Sequence, residues 1–194
     1  RPLEYRELLP MVMAALPSDR PFILLGESFS GPLALLAAQA RPPGLCGVVL
    51  CASFIRNPVR FLPSWSRHVV SGGLFRLFPA FAQAKALLGG YSSLRLRELA
   101  GRAHGMVSPA VFAARARAIL SVDVTEALRE CPVPILYLAG ASDHVVPRHN
   151  VRLIQRINPA VRCSFVPGPH LVLQTSPVEA CGAIGAFTAT LGAF

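Results

Sequence analysis

The apolar positions along the chain fall into two kinds of run. Short, mostly apolar runs bounded by Gly, Pro or polar residues stand at Phe22–Leu25, Leu45–Ala52 and Val133–Leu138, with a more mixed run at Val161–Val166. All four read as strands, the first two as strands buried on both faces of a sheet. Pro134 fits the third only because it lies at that strand's start. Between them apolar residues recur at helical spacing. Residues 4–16 place Tyr5, Leu8, Leu9, Val12 and Leu16 on one face, and Pro10 either kinks that helix or marks its true first turn. Residues 29–40 form a helix of small residues that stops before Pro42-Pro43-Gly44, and Pro147–Ile157 forms another. The last helix carries Ile184, Phe187 and Leu191 on its apolar face, and its start reads as a capping box of Ser176, Pro177 and Glu179.

Strands alternating with helices imply a mostly parallel α/β sheet of about four strands with helices on both faces. Residues 55–120 break the alternation. They show no clear strand, and apolar side chains recur at helical spacing around Leu74, Phe75, Leu77, Phe78, Phe81, Leu87, Leu88, Val111 and Phe112. The expected organisation is therefore a core of residues 1–54 and 121–194 with a helical cap of residues 55–120. In parallel sheets ligands bind beyond the carboxyl ends of the strands. Chemistry is to be sought just after Leu25, Ala52, Leu138 and Val166.

Composition narrows the class. The chain has 194 residues, 53% hydrophobic and 15% charged, which excludes a disordered polymer and allows one domain with a real core. The formal net charge of +9 comes from basic residues scattered singly, Lys85 being the only lysine, with no basic stripe interleaved with aromatics. Nucleic-acid binding is not expected from that pattern. The five cysteines are odd in number and lack zinc-ligand spacing, so they read as buried, reduced thiols of a cytoplasmic protein. No apolar run is long enough for a membrane span, and no secretory signal pattern stands at the start. Arg1 rather than Met opens the chain, so upstream residues in the gene are expected. No metal site or cofactor is called for.

Three loops carry candidate chemistry. Gly26-Glu27-Ser28-Phe29-Ser30-Gly31 follows the first strand and opens a helix. It resembles the G-x-S-x-G nucleophile elbow of α/β hydrolases, with Ser30 in place of the second Gly. Such an elbow needs a tight, strained turn with small flanking residues, whereas an ordinary strand-to-helix turn needs nothing of the kind. Gly140-Ala141-Ser142-Asp143 follows the third strand, where the family places its acid; a plain turn or helix-start Asp is the alternative. Val166-Pro167-Gly168-Pro169-His170 follows the fourth, where the family places its base. His144, beside Asp143, is the one rival histidine. Each signal is weak alone. All three fall at strand carboxyl ends, in the chain order Ser, Asp, His of this family.

The phrases around Ser28 and His170 are similar to small bacterial carboxylesterases of the α/β-hydrolase fold, the group that includes pimeloyl-carrier-protein methyl ester esterases. That resemblance covers nearly the whole chain. It implies a partial α/β-hydrolase fold and a serine hydrolase acting on small-molecule esters, with Ser28 as nucleophile, His170 as base and Asp143 as acid. It also implies the Phe29 backbone N–H in the oxyanion hole and no cofactor. Trp65, Phe75 and Phe78 are expected to line the acyl pocket, with packing of the cap helices against one another as the alternative. Glu27 is read either as tuning the pocket's charge or as a polar contact in the loop network. Asp123 is read as anchoring the return of the cap to the core.

The same resemblance implies what is missing. The family has three or four strands before the elbow, and one of their loops supplies the second oxyanion donor. The chain is therefore expected to be N-terminally truncated relative to the family. The elbow strand becomes an edge, and edges of that kind pair with other chains, which implies a homo-oligomer. A non-catalytic interaction protein that retains the three residues is the alternative from a different class. Thioesterase and acyltransferase chemistry also remain open.

Overall fold

A computed structural model of the chain describes residues 3–59, 70, 85, 87–91 and 93–192. Its frame is a four-stranded parallel sheet in the order β1-β2-β3-β4, formed by Phe22–Glu27, Leu45–Cys51, Ile135–Gly140 and Arg162–Val166. Among the described residues the α-helices are α1 (Tyr5–Ala15), α2 (Ser30–Gln39), α3 (Leu94–Gly105), α4 (Pro109–Ser121), α5 (Thr125–Arg129), α6 (His149–Ile157), α7 (Val172–Thr175) and α8 (Pro177–Thr188).

Alternation along the strands sorts the core into two layers. Val48 and Leu50 of β2, with Ile135, Tyr137 and Ala139 of β3, face one side, where they pack with Leu35 and Ala38 of α2, Leu128 of α5 and Ile154 of α6. Val49 and Leu136 face the other side, against Phe187 and Ile184 of α8. Cys51 and Leu138 continue that second layer with Val172 and Ala180. Both central strands are buried on both faces, as their unbroken apolar runs require.

β1 is an outer strand, as the missing upstream strands imply, so its run is not buried on both faces as the apolar pattern alone suggests. β1 and β4 expose part of one face, with Leu25 at 39% and Phe165 at 48%. An apolar run alone does not separate an edge strand from a central one. Two element starts also shift. β3 begins at Ile135, just past Pro134, and α6 begins at His149 after Pro147. Pro10 lies inside α1 without ending it.

The start of α8 needs a larger correction. Ser176 makes no side-chain cap to the helix, so the expected capping box is absent. Its hydroxyl instead donates to the Pro167 carbonyl, because the short helix α7 already delivers the chain to that point. The cysteines also differ. All five are free, but only Cys51 is buried, and Cys181 is exposed.

Arg56 and Asp123 form an isolated antiparallel bridge, and Val124 N–H donates to the Ile55 carbonyl at 2.9 Å. Arg56 Nε lies 2.9 Å from Asp123 Oδ2. The two ends of the segment expected as a cap are thus tied to each other at the core. Among the described residues no helix is long and apolar enough to cross a membrane.

Candidate active site

β1 ends at Glu27 and α2 begins at Ser30, leaving two residues to reverse the chain. Ser28 takes a positive φ of 50°, a region that side chains with a Cβ rarely occupy. The turn survives because it is held from every direction. Ser28 N–H donates to the Cys51 carbonyl at 2.8 Å, and Gly31 N–H donates to the Ser28 carbonyl at 3.1 Å. Ser30 Oγ donates to the Glu27 carbonyl at 2.8 Å. A Cβ on Gly26 would sit 2.7 Å from the Gly31 Cα, so no larger residue fits there. Gly31, rather than Ser30, supplies the second close approach of strand and helix.

The loops that carry Asp143 and His170 are stitched to one another. Ser142 donates to the Gly168 carbonyl through both its N–H and its hydroxyl, each at 2.9 Å. Ala141 N–H donates to the Val166 carbonyl at 2.8 Å. A Cβ on Gly140 would lie 2.1 Å from the Pro169 carbonyl oxygen, which fixes how closely the loops pass.

These constraints bring three side chains into line. His170 Nε2 lies 2.9 Å from Ser28 Oγ, and His170 Nδ1 lies 2.9 Å from Asp143 Oδ2. The imidazole and the carboxylate are nearly sealed from solvent, at 2% and 4% exposure. The other carboxylate oxygen, Oδ1, accepts from the N–H groups of Val145 and Val146 at 2.8 and 2.9 Å. A carboxylate only accepts hydrogen bonds, so Nδ1 donates to it and Nε2 is left to accept from the serine hydroxyl. That arrangement can remove a proton from Ser28. His144 is exposed and takes no part in the line.

Glu27 and Phe29 flank Ser28 on either side. Glu27 accepts from Gln174 Nε2, on helix α7, at 3.1 Å. Its second oxygen is buried with no hydrogen-bond partner among the described residues. Phe29 stacks on Tyr5 of α1 at 4.6 Å between ring centroids, and its carbonyl accepts from the Tyr5 hydroxyl at 3.0 Å. Arg115 of α4 lies over the same Phe29 ring, 5.5 Å from its centroid. Burial drives the Tyr5 phenol well above its ordinary range, so it remains a donor. Trp65, Phe75 and Phe78 lie outside the described residues.

Two residues that sequence reading missed sit beneath the elbow. Ser53 is fully buried just beyond β2, and its hydroxyl donates to the Ser28 carbonyl at 2.8 Å. Tyr137 of β3 brackets it, accepting from Ser53 N–H at 3.1 Å and donating to the Ser53 carbonyl at 2.5 Å. The signal was a polar residue directly after a buried strand that ends beside the elbow. Cys51, one strand over from Glu27, is buried completely. Burial, then the carboxylates of Glu27 and Asp143, push its thiol far above the usual range. It therefore stays protonated. Among the described residues no group of three or more His, Cys, Asp or Glu side chains is arranged to hold a metal ion.

The geometry agrees with what the chain is similar to. A pyrrolizixenacetamide deacetylase of Xenorhabdus hominickii is 26% identical over 187 residues, covering 91% of this chain and 70% of that protein. The crystal structure of a bromoperoxidase from Bacillus anthracis superposes with a TM-score of 0.79 at 18% identity, covering 96% of this chain and 74% of that one. A thermophilic esterase from Thermogutta terrifontis gives 0.77 at 21% identity, covering 98% and 74%. The family described as "Serine aminopeptidase, S33" matches residues 5–168. With a parallel sheet, an elbow at the end of β1 and a match over most of its length, the chain belongs to this α/β-hydrolase family.

Proposed function

We propose that the chain is a serine hydrolase that cleaves carboxylic esters of small, fairly apolar acyl groups through an acyl-enzyme on Ser28. The observation that carries this reading is the pair of 2.9 Å contacts running from Ser28 through His170 to Asp143. In the first half-reaction the Ser28 hydroxyl proton passes to His170 Nε2 as Oγ bonds to the acyl carbon. Asp143 keeps the imidazole in the required tautomer and stabilises the imidazolium. The proton then goes from His170 to the leaving alkoxide as the ester C–O bond breaks. Water, activated by the same imidazole, releases the acid. The Phe29 N–H is the oxyanion donor assigned to this chain, and Trp65, Phe75 and Phe78 are assigned to the acyl pocket. The deacetylase name of the curated relative supports removal of an acyl group as the shared reaction type, with amides as a second substrate class to assay.

The test is turnover of short p-nitrophenyl esters by the purified chain. Ser28→Ala should cost about 10⁴-fold or more, the usual consequence of removing a nucleophile that works with its base. Hydrolysis that persists in that variant would remove the assignment. A fluorophosphonate probe separates this reading from the non-catalytic one: the enzyme labels at Ser28, and a folded relic does not.

A further inference from the structure

The Phe29 N–H belongs to the same peptide group as the Ser28 carbonyl. Two donors converge on that carbonyl oxygen, the Ser53 hydroxyl at 2.8 Å and the Gly31 N–H at 3.1 Å. Ser53 is 0% exposed, and Tyr137, itself buried, holds its backbone on both the N–H and the carbonyl side. The hydroxyl is thus locked onto one end of the peptide whose other end is the oxyanion donor.

We infer that Ser53, held by Tyr137, is a positioning residue that orients and polarises the Phe29 amide for oxyanion binding. The inference rests on the serine-hydrolase reading above and adds a residue to it. Its physical basis is twofold. A hydrogen bond to a peptide carbonyl draws electron density toward the oxygen and makes the N–H of that peptide a stronger donor, an effect that low-dielectric burial enhances. The same bond also stops the peptide plane from rotating. Ser28 has a positive φ, so the elbow is strained and its peptide would otherwise relax. An oxyanion donor is useful only if it is aimed before charge develops. Tyr5 fixes the next carbonyl, that of Phe29, at 3.0 Å, so the peptide is pinned on both sides.

The role predicts an effect on the transition state and not on substrate binding. Ser53→Ala should lower kcat by about 10-fold, a fraction of the 100- to 1,000-fold that follows loss of a whole oxyanion donor, with KM within about 2-fold. The inhibition constant of n-butylboronic acid, which forms a tetrahedral adduct on a serine hydroxyl, should rise in parallel with the loss of kcat. A merely structural residue would lower the urea midpoint without moving that inhibition constant. Ser53→Cys retains the bulk and a weak donor, so it should fall between the wild type and Ser53→Ala. It carries the test if the alanine variant does not fold.

A Ser53→Ala protein with kcat and boronate affinity within about 2-fold of wild type would overturn the role of Ser53 and leave the hydrolase reading intact. A Ser53→Cys protein weaker than Ser53→Ala would also overturn it. A folded wild type that neither turns over esters nor labels with fluorophosphonate would overturn both.

Discussion

A Cβ placed on Gly31 would sit 1.8 Å from Ser53 Oγ and 2.6 Å from Ser53 Cβ. Ser53 cannot swing away, since its hydroxyl and both its backbone groups are bonded in a fully buried position. Gly31→Ala therefore has to displace the elbow itself. Overpacking of this kind typically costs about 1–3 kcal/mol. The expected result is a lower urea midpoint together with loss of most ester turnover. Ser53→Gly in the same chain frees the space and should return part of the stability and part of the turnover, which stays about 10-fold or more below wild type because the hydroxyl is deleted. A double-mutant cycle on the urea midpoints measures the coupling.

Asp143→Asn should leave the loop in place and still cost about 10⁴-fold in kcat. The Asn side-chain oxygen can keep accepting from Val145 and Val146, which turns its NH₂ toward His170 Nδ1. The ring must then accept at Nδ1 and carry its proton at Nε2, where it faces the nucleophile as a donor. Unfolding midpoints near wild type beside a collapse in turnover would mark the tautomer as the cause. Turnover within about 10-fold of wild type would argue against the acid role.

These residues differ in how visible they were before any coordinates. Ser28, Asp143 and His170 were legible because each follows a short apolar strand, and a parallel sheet gathers such positions along one rim. Ser53 was not, since a single Ser after Ala52 carries no periodic signal and its task appears only once β2 lies beside the elbow. Ser176 was misread for a related reason. Ser-Pro-x-Glu is a sound local start signal, but the nearby Pro167 carbonyl took the hydroxyl instead. The edge character of β1 is legible only from the strands missing before the elbow, because Phe22–Leu25 itself is as apolar as a central strand would be.

The Asp123 carboxyl gives a pH signature. Burial raises its pKa, but hydrogen bonds from the Thr125 hydroxyl and N–H, and then the Arg56 guanidinium, outweigh this and hold it below the ordinary 3.8. A carboxyl that is harder to protonate when folded stabilises the fold above its ordinary value. That contribution fades as pH falls through the lower, folded value. The group is largely exposed, so the effect is small, about 1 kcal/mol or less at neutral pH. Urea midpoints of wild type and Asp123→Asn should differ at pH 7 and converge as pH falls from the ordinary 3.8 through the lower, folded value. A gap unchanged at acid pH would contradict the role of the charge.

Self-association is the outcome expected for the isolated chain. β1 pairs with β2 and with no other strand among the described residues, and Leu25 on it is 39% exposed. A free strand edge of this kind takes up a second chain. Light scattering after size exclusion should give a multiple of the 20.7 kDa chain mass at micromolar concentration, and Leu25→Lys should shift it toward the monomer. A monomer under those conditions would oppose the proposal.

The burial of Cys51 has a use at the bench. Its thiol lies within the field of two carboxylates and stays protonated, so soft electrophiles have no thiolate to attack beside the site. Cys181, on the outer side of α8, is open to them. Maleimide dyes should therefore go to Cys181 first, with the partly exposed Cys46, Cys131 and Cys163 as slower positions, and phosphonate warheads to the elbow. One protein molecule could then carry a fluorescent reporter and an occupied acyl site at once, without any engineered residue.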